Sequence, residues 1–249
     1  MSTIFISDIH LSAKSPQRIN QFIQFMRSET IQEAETIYIL GDLFEYWLGD
    51  DTIDESVMPI INAIRQQVDQ GKSIYFLFGN RDFLISTNFI EQTGCQLLAD
   101  PARIDLYGTP VLISHGDLFC TDDHEYQAFR QQVRDFDWQQ HFLSLPIEQR
   151  IEMAEKARQT SQSESAMKAE DIMDVNAATV QNYARENQTQ IIIHGHTHRP
   201  FIHSFNIDEN EGMRIVLGDW GDHESYLRVT ENTMDLVDHR LSSAGQMIN

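Results

Sequence analysis

The sequence predicts an α/β fold with a mixed β-sheet and a helical insertion. Between residues 3 and 78, short apolar runs alternate with stretches whose apolar residues recur every three or four positions, which is the order of parallel strands joined by helices. Two further apolar runs flank Gly108, and this arrangement indicates an antiparallel hairpin. A long stretch rich in Gln, Glu and Ala then interrupts the strands, so we expect it to be an insertion.

The first half of the chain carries the alternating pattern. Apolar residues at helical spacing, such as Ile19, Phe22 and Met26, predict a helix over residues 16–27, and Met58 to Val68 predict a second helix that Gly71 ends. Predicted strands cover residues 3–7, 36–40, 73–78, 104–107 and 111–114. The parallel and hairpin strands together make the sheet mixed.

The second half of the chain is predicted to form a helical cap followed by further strands. Residues 123–187 are expected to be mostly helical, with breaks at Pro146 and 160–165. Strand character returns at residues 191–193, and antiparallel strands are expected over 201–205, 213–217, 226–229 and 234–237. This divides the chain into a core of residues 1–122 and 188–241, a helical cap of residues 123–187, and a tail of residues 242–249 that we expect to be frayed.

Charge and composition disfavour several classes of function. Of the 249 residues, 41% are hydrophobic, which is enough for one large domain. With 18 Lys and Arg against 38 Asp and Glu, the net charge of −20 opposes nucleic-acid binding, because that binding needs basic residues to neutralise phosphates. The same charge opposes an electrostatic anchor on an anionic membrane.

Two further features indicate a cytoplasmic protein. No apolar run approaches the roughly 20 residues that a membrane span needs, and the first residues have no signal-peptide pattern. The chain has two cysteines, Cys95 and Cys120, which are too few for a disulfide framework. We expect both to be reduced, partly buried thiols.

Residues of the types that bind metals follow five strand-like runs. They are Asp8 and His10, Asp42, Asn80, His115, and a cluster of His194, His196 and His198. Ligand sites in open α/β sheets lie outside the carboxyl ends of the strands, so these side chains are expected to converge. Since residues i and i+2 of a strand point to the same side, His196 and His198 can bind one ion together. His194, which heads the cluster, is left out of the ligand set because we expect it to pack in the core or to support a ligand.

Seven candidate ligands favour two metal ions over one. A single catalytic zinc uses three or four protein ligands, whereas two ions about 3.5–4 Å apart can share a carboxylate. Carboxylate, imidazole and amide ligands without thiolate suit manganese, iron or zinc, and the residues leave that choice open. Two adjacent cations can hold a phosphate and neutralise the attacking and leaving oxygens, which predicts hydrolysis of a phosphoester or phosphoanhydride.

The same segments carry a resemblance to a known family. DIH at Asp8, GDLFE at Gly41, GNRDF at Gly79, SHGD at Ser114 and HGHTHRP at His194 resemble the blocks of the calcineurin-like metallophosphoesterase superfamily, in the same order. Longer blocks, including GDLFEYWLGDD and HGDLFCTDDHEYQAFR, are similar to those of the bacterial UDP-2,3-diacylglucosamine pyrophosphatases over most of residues 1–220. The resemblance implies a four-layer αββα sandwich of mixed sheets with an inserted helical cap.

The resemblance also implies a reaction and a division of the ligands. The family hydrolyses UDP-2,3-diacylglucosamine to UMP and 2,3-diacylglucosamine 1-phosphate, a step of lipid A biosynthesis, with two Mn²⁺ ions and a water molecule between them as nucleophile. It implies Asp8, His10, Asp42 and His198 around one ion, and Asp42, Asn80, His115 and His196 around the other. Arg81 would neutralise the developing phosphate charge, so the implied catalytic set is Asp42, Asn80, Arg81 and His115.

Substrate contacts and membrane association follow from the same resemblance. It implies contacts from Asn80, Arg81, Asp123, Tyr126, Ser161, Ser165, Lys168 and His196, although some relatives have Asn where this chain has Ser165. The cap would hold the acyl chains, with Phe142, Leu143, Leu145, Ile147, Ile151 and Met153 as candidate lining residues. Because a diacylated substrate lies in a bilayer, we expect a monomer that docks peripherally on the cytoplasmic face of the inner membrane.

Two other classes of function remain as alternatives. The same metal core could serve a nuclease or a cyclic-nucleotide phosphodiesterase, but the net charge of −20 disfavours the nuclease. A non-catalytic scaffold that keeps the fold to bind partners would be expected to lose ligands, and each of the five ligand blocks is intact.

Overall fold

Two β-sheets stack face to face in the computed structural model, which describes residues 2–165, 174–241 and 246–248. The strands are β1 Ser2–Ile6, β2 Ala34–Leu40, β3 Ser73–Leu77, β4 Gln96–Leu97, β5 Ala102–Leu106, β6 Thr109–Ser114, β7 Ile191–His194, β8 Phe201–Ile207, β9 Asn210–Val216, β10 Tyr226–Val229, β11 Met234–Val237 and β12 Gln246–Ile248. The helices are α1 Pro16–Met26, α2 Glu29–Gln32, α3 Met58–Asp69, α4 Thr87–Thr93, α5 His124–Val133, α6 Phe136–Ser144, α7 Ile147–Ser165 and α8 Ala177–Glu186.

Both sheets are mixed, as the sequence predicts. The first has the order β12-β11-β10-β1-β2-β3-β4, with β1 to β4 parallel and β10 to β12 antiparallel. The second has the order β5-β6-β7-β9-β8, and the hairpin around Gly108 forms its β5-β6 edge. The four late strands do not form one antiparallel run, because β8 and β9 join the second sheet, where β9 is parallel to β7.

Three apolar clusters hold the layers together and confirm the α/β class. The first lies between the early helices and the first sheet, where Phe22 of α1 packs with Ile4 and Ile37. The second fills the space between the sheets, with Phe5 of the first sheet against Ile193 of the second. The third joins the outer face of the second sheet to α8 through Leu112, Ile192, Val180 and Ala184. The order of layers is therefore helices, sheet, sheet, helix.

The expectation of a frayed tail is wrong for Gln246–Ile248. These residues form β12, which pairs antiparallel with β11 through three register positions. Main-chain hydrogen bonds at a sheet edge need no distinctive side-chain pattern, so the short segment carries no strand signal in the sequence. Helix α4 was also missed in the sequence, because a helix of only seven residues is too short to show a clear apolar periodicity. It ends at Gly94, whose backbone is left-handed.

The inserted helices contact the core through their apolar residues. Phe142 of α6 is 4% exposed and belongs to the first cluster, and Leu143 packs against the same cluster. Ile147, Ile151 and Met153 of α7 remain exposed. Of the six candidate acyl-lining residues, Phe142 is therefore a packing residue, because its side chain is already buried. None of the helices in the described ranges has the length and apolar character needed to cross a membrane.

Candidate metal centre

The predicted ligands meet where five strands end. The strands β1, β2 and β3 of the first sheet end at Ile6, Leu40 and Leu77, and β6 and β7 of the second end at Ser114 and His194. The side chains that follow them form two overlapping groups whose ligand atoms lie within 4.8 Å of one another. One group is Asp8, His10 and His198, and the other is Asp8, Asp42 and His115.

Loop geometry, rather than strand parity, brings the ligands together. Asp8, His10, Asp42, His196 and His198 all have φ between 52° and 66°, in the left-handed region that non-glycine residues rarely adopt. The expectation that the i and i+2 pairs lie on a strand is therefore wrong: β1 ends before the first pair and β7 before the second. Such strained backbone is typical of functional sites, where surrounding contacts hold it in place.

Main-chain contacts between the loops hold this geometry. The amides of Asp8 and His10 donate to the carbonyls of Gly41 and Asp42 at 3.2 and 3.0 Å, and the Gly195 amide donates to the His115 carbonyl at 2.8 Å. A Cβ on Gly79 would clash with the Asp42 carboxylate, and a Cβ on Gly195 would clash with that of Asp8. Glycine is required at these two positions because the loops approach so closely.

The first group surrounds Asp8. Oδ1 of Asp8 lies 3.2 Å from Nε2 of His198, and Nε2 of His198 lies 3.4 Å from Nε2 of His10. Oδ2 of Asp8 accepts from Ser7 Oγ at 2.6 Å and from the His196 amide at 2.9 Å. Hydrogen bonds and positive charge from His198 hold the pKa of Asp8 below its ordinary value although burial acts to raise it.

The second group surrounds the amide of Asn80. Oδ1 of Asn80 lies 2.9 Å from Nε2 of His115 and 3.0 Å from Nδ1 of His196. Nε2 of His115 is 3.8 Å from Oδ1 of Asp42, and Oδ2 of Asp42 is 4.0 Å from Nδ1 of His10. Asp42 therefore faces both groups, and the structure brings all seven predicted ligands together.

The residues fit a divalent cation. Nδ1 of His115 donates to the Leu40 carbonyl at 2.9 Å, so Nε2, which lies 2.9 Å from Oδ1 of Asn80, is the ring nitrogen that can exchange its proton for a cation. Histidine ligands are commonly oriented by a second hydrogen bond of this kind. Within the described residues, Nδ1 of His10 is buried and accepts or donates no hydrogen bond, and the carboxylates of Asp42 and Glu45 lie 4.0 and 3.8 Å from it.

Protons occupy the site when no cation does. Burial raises the pKa of Asp42 to about 7. Burial acts to lower the pKa of His115, but the charges of Asp42 and Asp8 outweigh it and raise that pKa to about 9. Because ligands must lose these protons to bind metal, we expect metal affinity to increase with pH across the neutral range.

His194 is engaged away from these groups. Its ring is buried, its Nδ1 is 2.8 Å from the Gly195 carbonyl and Arg214 donates to its Nε2 at 3.0 Å. Both ring nitrogens are thus occupied by other contacts within the described residues.

Arg81 lies beside Asp42 and is held by a carboxylate that the sequence analysis missed. Its main-chain amide donates to Oδ1 of Asp42 at 2.9 Å, and its Nη1 donates to Oε1 of Glu45 at 3.0 Å. Glu45 also pairs with Arg158 of α7 at 2.8 Å. Glu45 belongs to the GDLFE block and could have been singled out there, whereas Arg158 lies in a helix without any distinguishing pattern.

The substrate residues proposed on the cap have different placements. The Tyr126 ring lies 5.7 Å from the His196 ring, and Asp123 caps α5 by accepting from the Tyr126 amide. Ser161 and Ser165 lie in α7, but the orientation of their side chains is not described. Lys168 lies outside the described residues.

Among the described residues, three charged contacts tie α5 and α7 of the insertion to the loops that follow β2 and β3. Arg134, at the C-terminal end of α5, donates to the Gly79 carbonyl at 2.8 Å. Arg150 of α7 is 2% exposed, donates to the Leu48 carbonyl at 2.5 Å and forms a bidentate pair with Asp51. The third is the Arg158 to Glu45 pair. The insertion is therefore anchored beside the candidate ligands.

Asp117 is a buried carboxylate that links α5 to the core. It is fully buried, and its Oδ2 accepts from Tyr126 Oη at 2.7 Å and from Arg130 Nε at 2.8 Å. It was missed because an Asp after SHG looks the same in sequence whether it binds a metal, a side chain or solvent. Its role here is to position Tyr126 and Arg130.

Replacing Asp117 by Asn is expected to lower the free energy of unfolding by about 3 kcal/mol at pH 7, because Arg130 loses a buried partner. Burial acts to raise the pKa of Asp117, but the charges of His115 and Arg130 hold it below its ordinary value of 3.8. Such a group contributes stability above pH 3.8 that is lost as the pH falls below it. Urea titrations from pH 7 to 3 should therefore show the variant and the wild type converging in acid.

The matched control for this prediction is Asp69→Asn. Asp69 pairs with Arg65 on the surface, so its loss should cost less than about 1 kcal/mol. If Asp117→Asn lowers the free energy of unfolding by the same amount at every pH down to 3, then the pKa of Asp117 in the folded protein is not below its ordinary value.

Comparisons with known proteins agree with this geometry. Residues 1–200 match the calcineurin-like phosphoesterase family. A protein of Stenotrophomonas maltophilia strain R551-3 named UDP-2,3-diacylglucosamine hydrolase is 45% identical over 246 residues, covering 95% of this chain and 99% of that protein. A protein of the same name from Neisseria meningitidis serogroup A is 46% identical over 226 residues, covering 90% and 92%.

A solved structure shares the fold. The dimetal phosphatase from Danio rerio matches with a TM-score of 0.52 at 12% identity, covering 95% of each chain, and at that identity the likeness concerns the fold alone. The family match over residues 1–200 and the relatives at 45% and 46% identity assign the chain to a family and to a group within it. The chain belongs to the calcineurin-like phosphoesterase family and, within it, to the proteins named UDP-2,3-diacylglucosamine hydrolase.

Proposed function

We propose that this protein hydrolyses the phosphoanhydride bond of UDP-2,3-diacylglucosamine, a step of lipid A biosynthesis, and releases UMP and 2,3-diacylglucosamine 1-phosphate. The observation that carries the proposal is the convergence of two carboxylates, four imidazoles and one amide oxygen at the ends of five strands. Such a donor set suits divalent metal chemistry on phosphate, and the relatives' name supplies the substrate.

We assign the ligands to two ions, with manganese as the metal. Asp8, His10, Asp42 and His198 would hold one ion, and Asp42, Asn80, His115 and His196 the other. When bound, the ions supply positive charge and Lewis acidity at the phosphorus. The shared position of Asp42 rests on its contacts of 4.0 Å to His10 and 3.8 Å to His115.

The side chains around the ligands orient the phosphate. The Arg81 guanidinium is 32% exposed and is held by Glu45, so it is ordered but still reachable from solvent. Its fork of donors matches phosphate oxygens, and we assign it to the charge that develops there. We also assign Asn80 and Tyr126 to contacts with the same phosphate, because each lies beside His196.

We further propose that the insertion of residues 123–187 supplies a cap over the acyl chains through α5 to α7, whereas its last helix, α8, packs on the second sheet. Ile147 and Ile151 lie one turn apart on α7 and are exposed, so they form an apolar surface that acyl chains could cover, and Met153 is exposed on another side of the helix. Arg150 and Arg158 hold this helix beside the candidate metal centre. The cap would also exclude water from the reacting phosphate, which strengthens the electrostatic interactions there.

Ile151→Asp is expected to weaken association with vesicles about tenfold, because an apolar side chain that enters the bilayer surface contributes about 1.5–3 kcal/mol. The wild-type protein should cosediment to the same extent with neutral and with anionic vesicles, since its net charge of −20 gives no electrostatic attraction. Leu97→Asp, at an equally exposed apolar residue of β4, is the control and should bind as the wild type does. Binding that increases with anionic lipid would contradict an apolar docking surface on the cap.

Product identity is the test of the proposed function. The purified protein is incubated with UDP-2,3-diacylglucosamine, with added manganese and with a chelator. We expect UMP and 2,3-diacylglucosamine 1-phosphate with manganese and loss of turnover with the chelator, restored on adding metal. Comparable turnover of DNA or cyclic nucleotides would favour another phosphodiesterase, and tightly bound metal without turnover of any of these substrates would favour a scaffold.

A further inference from the structure

A cavity of about 410 Å³ adjoins the candidate metal centre on the side of His198. Its walls come from the loop after β7, from β8 and β9, and from Asp174 and Arg240. None of the described residues of α5, α6 or α7 lines it. The cavity is therefore distinct from the surface of the cap that carries exposed apolar side chains.

One wall of the cavity is aromatic. Phe201, the first residue of the edge strand β8, is 45% exposed, and its ring centroid lies 4.9 Å from that of His203 with the planes tilted by 56°. Covering an exposed aromatic ring with a flat group removes apolar surface from water, which is favourable. Stacking against an aromatic side chain is how proteins commonly hold a nucleobase.

The cavity also contains a guanidinium with free donor capacity. Arg240 is paired with Asp219 and Asp238, and Arg199 donates to Asp174. Arg214 instead donates through Nη1 to the ring of His194 at 3.0 Å, and in the described part of the chain no carboxylate forms an ion pair with it. Burial lowers the pKa of Arg214, although the charge of Asp174, which lines the same cavity, acts to raise it. An arginine has five N–H donors, so others remain for a ligand.

We propose that this cavity binds the uridine end of the substrate, with uracil against Phe201 and its carbonyl oxygens accepting hydrogen bonds from Arg214. The inference rests on the proposed function, whose substrate has two unlike ends. Acyl chains need apolar surface, such as that of α7, whereas a nucleoside needs a stacking ring and hydrogen-bond donors. The cavity has an aromatic ring and hydrogen-bond donors beside His198. Its volume lies within the range of about 300–1,000 Å³ typical of small-molecule sites.

Calorimetric titration of the manganese-loaded protein with UMP and with ribose 5-phosphate tests the inference directly. Phe201→Ala is expected to weaken UMP binding about tenfold, the effect of losing one stacked base, and to leave the affinity for ribose 5-phosphate unchanged. Arg214→Gln should weaken UMP binding by a similar factor. Leu97→Ala, which removes a side chain of the same 45% exposure from the far edge of the first sheet, should change neither affinity.

Steady-state kinetics complete the test. Phe201→Ala should lower kcat/KM for UDP-2,3-diacylglucosamine about tenfold, because the base would stack on this ring in the ground state and in the transition state alike, and its absence weakens the binding of both. An unchanged UMP affinity in Phe201→Ala, or an equal weakening of ribose 5-phosphate binding, would overturn the assignment of the cavity to the base. If the wild-type protein binds UMP through Phe201 but fails to hydrolyse the lipid, the proposed function fails while the nucleoside site stands.

Discussion

Asp42→Ala is expected to reduce kcat/KM for UDP-2,3-diacylglucosamine by at least about 1,000-fold, a loss of roughly 4 kcal/mol in transition-state stabilisation. The physical reason is the position of this carboxylate, which faces His10 on one side and His115 on the other. Removing it should dismantle both proposed ion sites together. Metal analysis after reconstitution with manganese should show the wild type with about two ions per chain and the variant with less than half of that.

A second substitution separates charge from shape in this experiment. Asp42→Asn keeps the size of the side chain and an oxygen that can accept from the Arg81 amide, but it removes the negative charge. It should therefore fold as the wild type does and still lose metal and activity. Asp69→Ala, at an exposed surface carboxylate, is the matched control and should retain both. An Asp42→Ala protein that still releases UMP at the wild-type rate would contradict the shared-ligand assignment.

The ends of the strands could be predicted because two independent patterns mark them. Apolar runs locate β1, β2, β3, β6 and β7 within one or two residues of their observed bounds, and each is followed by side chains of the types that bind metals. Parallel strands place those ends at one edge of a sheet. The convergence of seven side chains therefore needed no knowledge of how the loops fold.

The loop conformations themselves could not be predicted in this way. Strand periodicity assigns Asp8 and His10 to one face, yet both have left-handed backbone beyond the end of β1. Non-glycine residues adopt this conformation only when contacts from distant parts of the chain hold them there. Those contacts, such as the Asp8 amide to the Gly41 carbonyl, join segments that are far apart in sequence and leave no local pattern.

Long-range ion pairs were missed for the same reason. Glu45 and Arg158 meet at 2.8 Å although they are more than 100 residues apart, and Arg150 reaches Asp51 across a similar separation. A charged residue on a solvated helix looks the same in sequence whether or not it has a partner. These pairs matter because they fix α7 beside Arg81 and the candidate metal ligands.

Arg81→Ala is expected to lower kcat/KM by about 100- to 1,000-fold, because the guanidinium would stabilise charge that develops on the phosphate. Unlike Asp42→Ala, it should leave the metal content largely unchanged, since the main-chain amide that donates to Oδ1 of Asp42 at 2.9 Å is kept and only the 3.7 Å contact between Arg81 Nε and Asp42 Oδ2 is lost. The variant would also release Glu45, which still pairs with Arg158, so the fold should persist.

Arg81→Lys distinguishes a fork of donors from a simple positive charge. Lysine keeps the charge, but it cannot donate to Glu45 and to a phosphate oxygen from one rigid plane as arginine does. We therefore expect it to recover less than about a tenth of the wild-type kcat/KM. Full recovery by lysine would mean that Arg81 acts only through its charge, and loss of manganese from either variant would mean that Arg81 supports the ligands rather than the phosphate. Retained metal with low turnover is the combination that assigns Arg81 to the phosphate, because no purely structural defect of the metal centre would produce it.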